Sequence, residues 1–250
     1  MDDDDEHESP EKRWPRVLSG RSEGEELNGA IIDFTVKAAL YVVPLLLGVI
    51  AHEVAHGWVA EKCGDPTARV MGRITLNPIA HIDLMGTVIL PIFLLVVQAP
   101  FLFGWAKPVP VNFSNLRRRT DMALVAAAGP FTNFLLAALS AGLYHLLLST
   151  SRTGWLYQGS AAFWVIEPVL HMARISVIFN LVLMTINLLP VPPLDGGRIL
   201  VGVLPHSAAV QLSRVERYGM LIVIILIATG MWERIVQPVL DVFLRLLLGF

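Results

Sequence analysis

The sequence predicts an all-α protein that threads a membrane repeatedly, with five or six apolar segments and one small re-entrant or β-edge element. Two observations carry that prediction. Apolar residues make up 54% of the 250-residue chain and charged residues 16%, with a mean hydropathy of +0.61, whereas soluble domains carry roughly 25% charged residues. The apolar residues also gather into runs of the length a helix needs to cross hydrocarbon, about 20 residues.

The segments follow in order. Residues 1–29 are polar and begin with a cluster of acids (Asp2, Asp3, Asp4, Asp5, Glu6, Glu8), with Glu23, Glu25 and Glu26 after them. They lack the basic start and short apolar core of a secretory signal and read as a disordered acidic tail. Apolar runs then fall at 30–60, 84–103, 121–149, 171–190 and 215–232, separated by Pro, Gly and Arg. A final run at 235–250 is short and carries Asp241 and Arg245, the pattern of an amphipathic helix lying at the interface. The membrane domain is therefore expected over 30–232, with 233–250 as a C-terminal segment. No basic face suited to nucleic acid is evident. Cys63 is the single cysteine, which excludes an internal disulfide and a thiolate metal cage.

The connections set the expected topology. Lys62, Arg69 and Arg73, then Lys107, Arg117, Arg118 and Arg119, then Arg198, Arg214 and Arg217 place three connections on the cytoplasmic side by the positive-inside rule, while 150–170 holds only Arg152 and reads as external. If both ends of 84–103 are cytoplasmic, that run dips in and returns, with Pro91 and Pro100 helping it bend. Within 104–112, Pro108 and Pro110 forbid a helix and favour an extended edge to which another chain can pair.

One pattern carries chemistry. His52-Glu53-Val54-Ala55-His56 is an H-E-x-x-H run inside an apolar helical segment. Residues four apart share a helix face, so both imidazoles can reach one zinc, with Glu53 beside them to hold a water. Two histidines and a glutamate are costly in hydrocarbon unless they bind something. Catalytic zinc takes three protein ligands and keeps one position open. The metzincin continuation is absent, because Val59 and Lys62 stand where its glycine and third histidine would fall. His81 or Asp83 could supply the third ligand from nearby, and Asp195 from afar. Asp195 is favoured, since it follows a full apolar run, lies in a proline-broken stretch and precedes Gly196-Gly197, which would let the backbone approach a metal. A re-entrant 84–103 also makes the His52 and Asp195 helices parallel, so their C-terminal parts meet at one depth.

Four blocks together resemble the site-2 family of intramembrane zinc metalloproteases (peptidase family M50), in its short prokaryotic form without a PDZ domain. They are His52 to His56; Gly104-Trp105-Ala106-Lys107-Pro108-Val109-Pro110-Val111-Asn112; Gly129-Pro130-Phe131-Thr132-Asn133; and Asn187 to Gly197 around Leu194-Asp195-Gly196. The resemblance covers about 30–200. It implies one zinc per chain with the aspartate at 195 as third ligand, a transmembrane protein as substrate, and a multi-pass protein of the prokaryotic plasma membrane whose site faces the cytoplasm.

Hydrolysis then assigns roles. Glu53 is the expected general base. A helical substrate must be unwound before attack, and Pro108, Val109, Pro110, Val111 and Asn112 are the expected edge for strand addition. Asn133 is expected at the substrate or the oxyanion, Asn187 as a brace behind the Asp195 loop, and Asn180 as a polar contact between helices. Two rivals stand beside this reading. A membrane zinc transporter also places His and Asp inside spans but needs no general base. A pseudo-protease scaffold would not need every ligand and the base present.

Overall fold

The computed structural model describes residues 23–97, 106–152 and 163–249. The described residues are 79% helical, and no strand forms among them. The described part divides into two compact units, one ending at Val42 and one starting at Val43. The first holds the beginning of α1 (Glu23–Lys62), so helix starts inside the stretch read as an acidic tail; residues 1–22 of that tail lie outside the described residues.

Three helical segments of the described chain are long and apolar enough to cross a bilayer: Ala39–Lys62 within α1, Asp121–Thr150 within α4 (Asp121–Arg152), and Val165–Asn187 within α5 (Phe163–Asn187). Each contains a proline, Pro44, Pro130 or Pro168, which helices in lipid tolerate when neighbours satisfy the freed backbone groups. The fourth expected run, 171–190, begins eight residues earlier and stops at Asn187. Between α1 and α4 lie a short helix, α2 (Thr67–Val70), a 3-10 turn at Pro78–His81, a π-helical turn at Leu84–Ile89 and α3 (Leu90–Val96).

The residues that flank the run at 84–103 meet. Lys107 N–H donates to the His81 carbonyl at 2.9 Å, and Arg73 Nη2 donates to the carbonyls of Lys107 and Pro108 at 2.8 and 3.2 Å. The chain is therefore back at residue 107 beside the point it left at residue 82; residues 98–105 of this stretch lie outside the described residues. From Ala106 to Asn112 it is extended, as the alternate prolines require, but with no ladder partner, so the β-edge is an edge without a sheet.

Beyond α5 the chain forms α6 (Asp195–Val203), α7 (His206–Ala228) and α8 (Met231–Leu248). The run read as one segment at 215–232 is thus broken by the Thr229-Gly230 turn, where Gly230 takes a left-handed φ of 68°. The last helix is amphipathic as expected, but its inward face packs on protein: Val236, Leu240 and Leu248 join Ala137 and Ala141 of α4 and Val177, Leu181 and Met184 of α5 in one buried cluster.

Side-chain bonds give the helix directions. His56 meets Val125, and His52 meets Asn133, so α1 and α4 are antiparallel; Asn180 meets Asn133 and Ser176 meets Ser140, so α4 and α5 are antiparallel too. The helices α1 and α5 therefore run in the same direction, and the C-terminal end of α5 lies near the level of His52 and His56.

Candidate metal centre

At that level α1 delivers His52 and His56 from one face, and the loop after α5 delivers Asp195 as the first residue of α6. The two Nε2 atoms are 3.0 Å apart, and Asp195 Oδ2 lies 3.1 Å from His52 Nε2 and 3.3 Å from His56 Nε2. All three residues are largely buried. The other ring nitrogens are already committed: His52 Nδ1 donates to Asn133 Oδ1 at 2.6 Å, and His56 Nδ1 donates to the Val125 carbonyl at 2.7 Å.

Those bonds test the fit to a metal. A neutral imidazole with its proton on Nδ1 keeps a lone pair on Nε2, so two nitrogen lone pairs and a carboxylate oxygen converge with no proton between them. Asp195 Oδ2 is accordingly buried without a hydrogen-bond donor. Three acceptors pressed together repel unless a cation sits among them. Tetrahedral zinc bound at about 2.0–2.2 Å spaces its ligand atoms about 3.3–3.6 Å apart, close to the separations here. Among the described residues this is the one group of three or more His, Cys, Asp or Glu side chains placed to hold an ion.

The surrounding helices are shaped to the histidines. Val125, Gly129 and Asn133 are spaced by four on α4; the outer two hold the ring nitrogens and Gly129 lies between. A Cβ at 129 would stand 2.5 Å from His56 Nε2 and 2.6 Å from His52 Nε2, so glycine is what lets α4 lie against the pair. Gly196 and Gly197 have a different reason from the one expected. A Cβ at 196 would meet the Leu188 carbonyl at 2.3 Å, and one at 197 the Pro192 nitrogen at 2.1 Å. The close approach is to the proline-broken loop 188–192, and it seats the first turn of α6.

The centre opens into a cleft of about 310 Å³ lined by Glu53, Pro108, Val109, Val111, Phe113, Asn187, Leu194 and Arg198, among others. Glu53 Oε2 accepts from Val109 N–H at 2.8 Å, which joins the carboxylate to the extended segment. Of the residues expected at the substrate, Pro108, Val109 and Val111 line the cleft. Asn112 instead caps a 3-10 turn at Phe113–Asn115, its Oδ1 accepting from Ser114 N–H, and Pro110 does not line the cleft. Asn133 is fully buried among the helices, not in the cleft, and all its bonds are to protein. Asn187 lines the cleft and donates to the Leu183 carbonyl of its own helix. His81 and Asp83 stand apart from the metal group: His81 Nε2 donates to the Thr75 carbonyl, and Asp83 accepts from Gly86 N–H to cap the π-helical turn.

Two supports escaped the sequence reading. Asp65 is fully buried and accepts from Thr67, from Asn112 N–H and from Asn115 Nδ2. With Arg73 at the other end it pins the extended segment across the cleft. Their signal was an isolated acid and base in a polar connection, which looks the same as solvated surface.

Helices long enough to span, a returning loop, and a histidine pair closed by a distant aspartate define an integral-membrane zinc metallopeptidase. The sequence profile of peptidase family M50 matches residues 40–230, and the chain belongs to that family. A Bacillus subtilis (strain 168) protein named "Putative zinc metalloprotease YwhC" is 36% identical over 80% of this chain and 85% of its own length. Proteins of the same description named Rip2, from Mycolicibacterium smegmatis and Mycobacterium tuberculosis (strain H37Rv), are each 27% identical, over 78% and 80% of this chain and 69% and 72% of their own lengths. No solved structure matches the chain.

Proposed function

We propose that the chain is an intramembrane protease of the site-2 type, cutting a peptide bond of a transmembrane protein beside a zinc held by His52, His56 and Asp195. The observation that carries this is the meeting of three lone-pair atoms within 3.3 Å at the head of a cleft that also contains Glu53. Zinc bound there supplies a Lewis acid that lowers the pKa of a water and polarises a carbonyl.

The chain's own groups do the rest. Glu53 takes the proton of the attacking water and delivers it to the leaving amide nitrogen. Val109 N–H fixes one carboxylate oxygen, so Glu53 enters the reaction already oriented. The extended stretch through Val109 and Val111 offers main-chain groups to an unwound substrate. Its position is held by Arg73, His81 and Asp65 rather than by a sheet. The basic residues Lys62, Arg69, Arg73, Lys107 and Arg117 cluster at the end of the spans that carries the centre, which supports a cytoplasmic site, and the bacterial relatives support a prokaryotic plasma membrane.

The test is cleavage of a membrane-protein substrate in detergent or liposomes by the wild type and by Glu53→Gln. Wild-type cleavage with loss in the variant, zinc content unchanged, is the expected result. Equal cleavage by both would assign the base elsewhere, and cleavage by neither while zinc is transported would favour a transporter.

A further inference from the structure

We propose that Asn180 on α5, acting through Asn133 on α4, dictates which nitrogen of His52 carries the proton and thereby keeps the centre open to zinc. Both asparagines are positioning residues, and the proposal rests on the reading of His52 as a ligand.

An amide side chain can lie either way round, and the donors and acceptors here allow one. Asn180 Nδ2 donates to the Ser176 carbonyl of its own helix at 2.9 Å and to Ser176 Oγ at 3.2 Å. A carbonyl only accepts, so the nitrogen belongs there and Asn180 Oδ1 faces α4. That oxygen accepts from Asn133 Nδ2 at 2.8 Å, and the Gly48 carbonyl of α1 accepts from the same nitrogen at 3.2 Å. Two acceptors therefore fix the amide of Asn133, leaving Asn133 Oδ1 to face His52 Nδ1 at 2.6 Å. An amide oxygen cannot donate, so His52 Nδ1 carries the proton and Nε2 keeps its lone pair. Asn133 and Asn180 are 0% and 1% exposed, which leaves water no path to replace either bond.

The alternative protonation shows what this controls. With the proton on Nε2, His52 would donate to Asp195 Oδ2 across the existing 3.1 Å and satisfy that carboxylate oxygen without any metal. The centre would close on itself. A chain of bonds across three helices thus selects the metal-binding form over a self-satisfied one, and a change on α5, which supplies no ligand of its own, is felt at the zinc.

The experiment uses the full chain in detergent micelles, with zinc affinity read by chelator competition and the histidine tautomer by 15N NMR of the zinc-free protein. Asn133→Leu should weaken zinc about 10–100-fold and move the His52 signal away from the Nδ1-protonated form. Asn180→Leu, remote from the ligands, should give a smaller loss because Gly48 still anchors Asn133, and should add nothing once Asn133 is Leu. Wild-type affinity and an unmoved His52 signal in either Leu variant would overturn the proposal. His52→Ala separates the two levels: if it binds zinc as the wild type does, the ligand reading itself has failed.

Discussion

His81 and Asp195 competed for one role in the sequence, and bonding partners separate them. The His81 ring is buried and donates to Thr75 within its own turn, while Asp195 Oδ2 faces two imidazole lone pairs with no donor of its own. His56→Ala and Asp195→Asn should each strip zinc from the purified protein, because each removes or weakens one of three protein bonds. His81→Ala should retain one zinc per chain by metal analysis, even if its turn loosens. Zinc lost with His81 and kept without Asp195 would place the centre elsewhere.

Asp65 makes a second prediction, of stability. Burial raises the pKa of its carboxyl, but hydrogen bonds from Thr67, Asn115 and Asn112 outweigh that and hold it below the ordinary value of 3.8. A carboxyl depressed on folding adds stability above its unfolded pKa and loses it as pH falls through the folded value. Asp65→Asn should therefore cost about 1.5–3 kcal/mol near neutrality, read as a lower Tm in detergent, and the gap to wild type should narrow below about pH 4. A gap that persists undiminished into strong acid would mean that shape, not charge, holds the loop.

Among the elements, the segment between Ile82 and Lys107 decides the topology. A span would carry the chain to the far face, yet Lys107 is bonded to His81. Cysteines introduced as Pro78→Cys and Ala106→Cys, in a Cys63→Ser background, should react with an impermeant thiol reagent from the same face. Labelling from opposite faces would contradict the returning loop and with it the parallel arrangement of α1 and α5. The extended stretch 106–112 is set by its prolines, but its rigidity comes from groups far along the chain: Arg73 on two carbonyls, Glu53 on Val109 N–H and Asp65 on Asn112 N–H. Such an edge is held in place without belonging to a sheet.

For the molecule as a whole, zinc should act as a structural ligand as well as a catalytic one. Its site joins the end of α1 to the start of α6, residues 139 positions apart between Asp195 and His56. Binding to the folded state alone stabilises by RT ln(1 + [L]/Kd), about 2.7 kcal/mol at roughly one hundred times Kd. Adding zinc to the metal-free protein should raise Tm, and a chelator should reverse it. A His52→Ala protein should show neither shift; an equal rise in that variant would point to binding outside the centre.

The sequence by itself determined the class and most of the centre. Hydrocarbon tolerates His52, Glu53 and His56 only in return for a function, and their spacing on a helix leaves little choice of one. Asp195 was legible because it is the single acid in the apolar stretch that leads to it. The tertiary structure alone decided what those residues lean on, because hydrogen-bond direction between helices leaves no periodic trace in a chain. It moved Asn133 from the substrate to the back of His52, gave Gly129 its place against the imidazoles, and turned Gly196-Gly197 towards the loop 188–192 instead of the metal. It also found Asp65 and Arg73, whose isolated charges look like solvated surface until the fold buries them against the backbone of a segment more than thirty residues away.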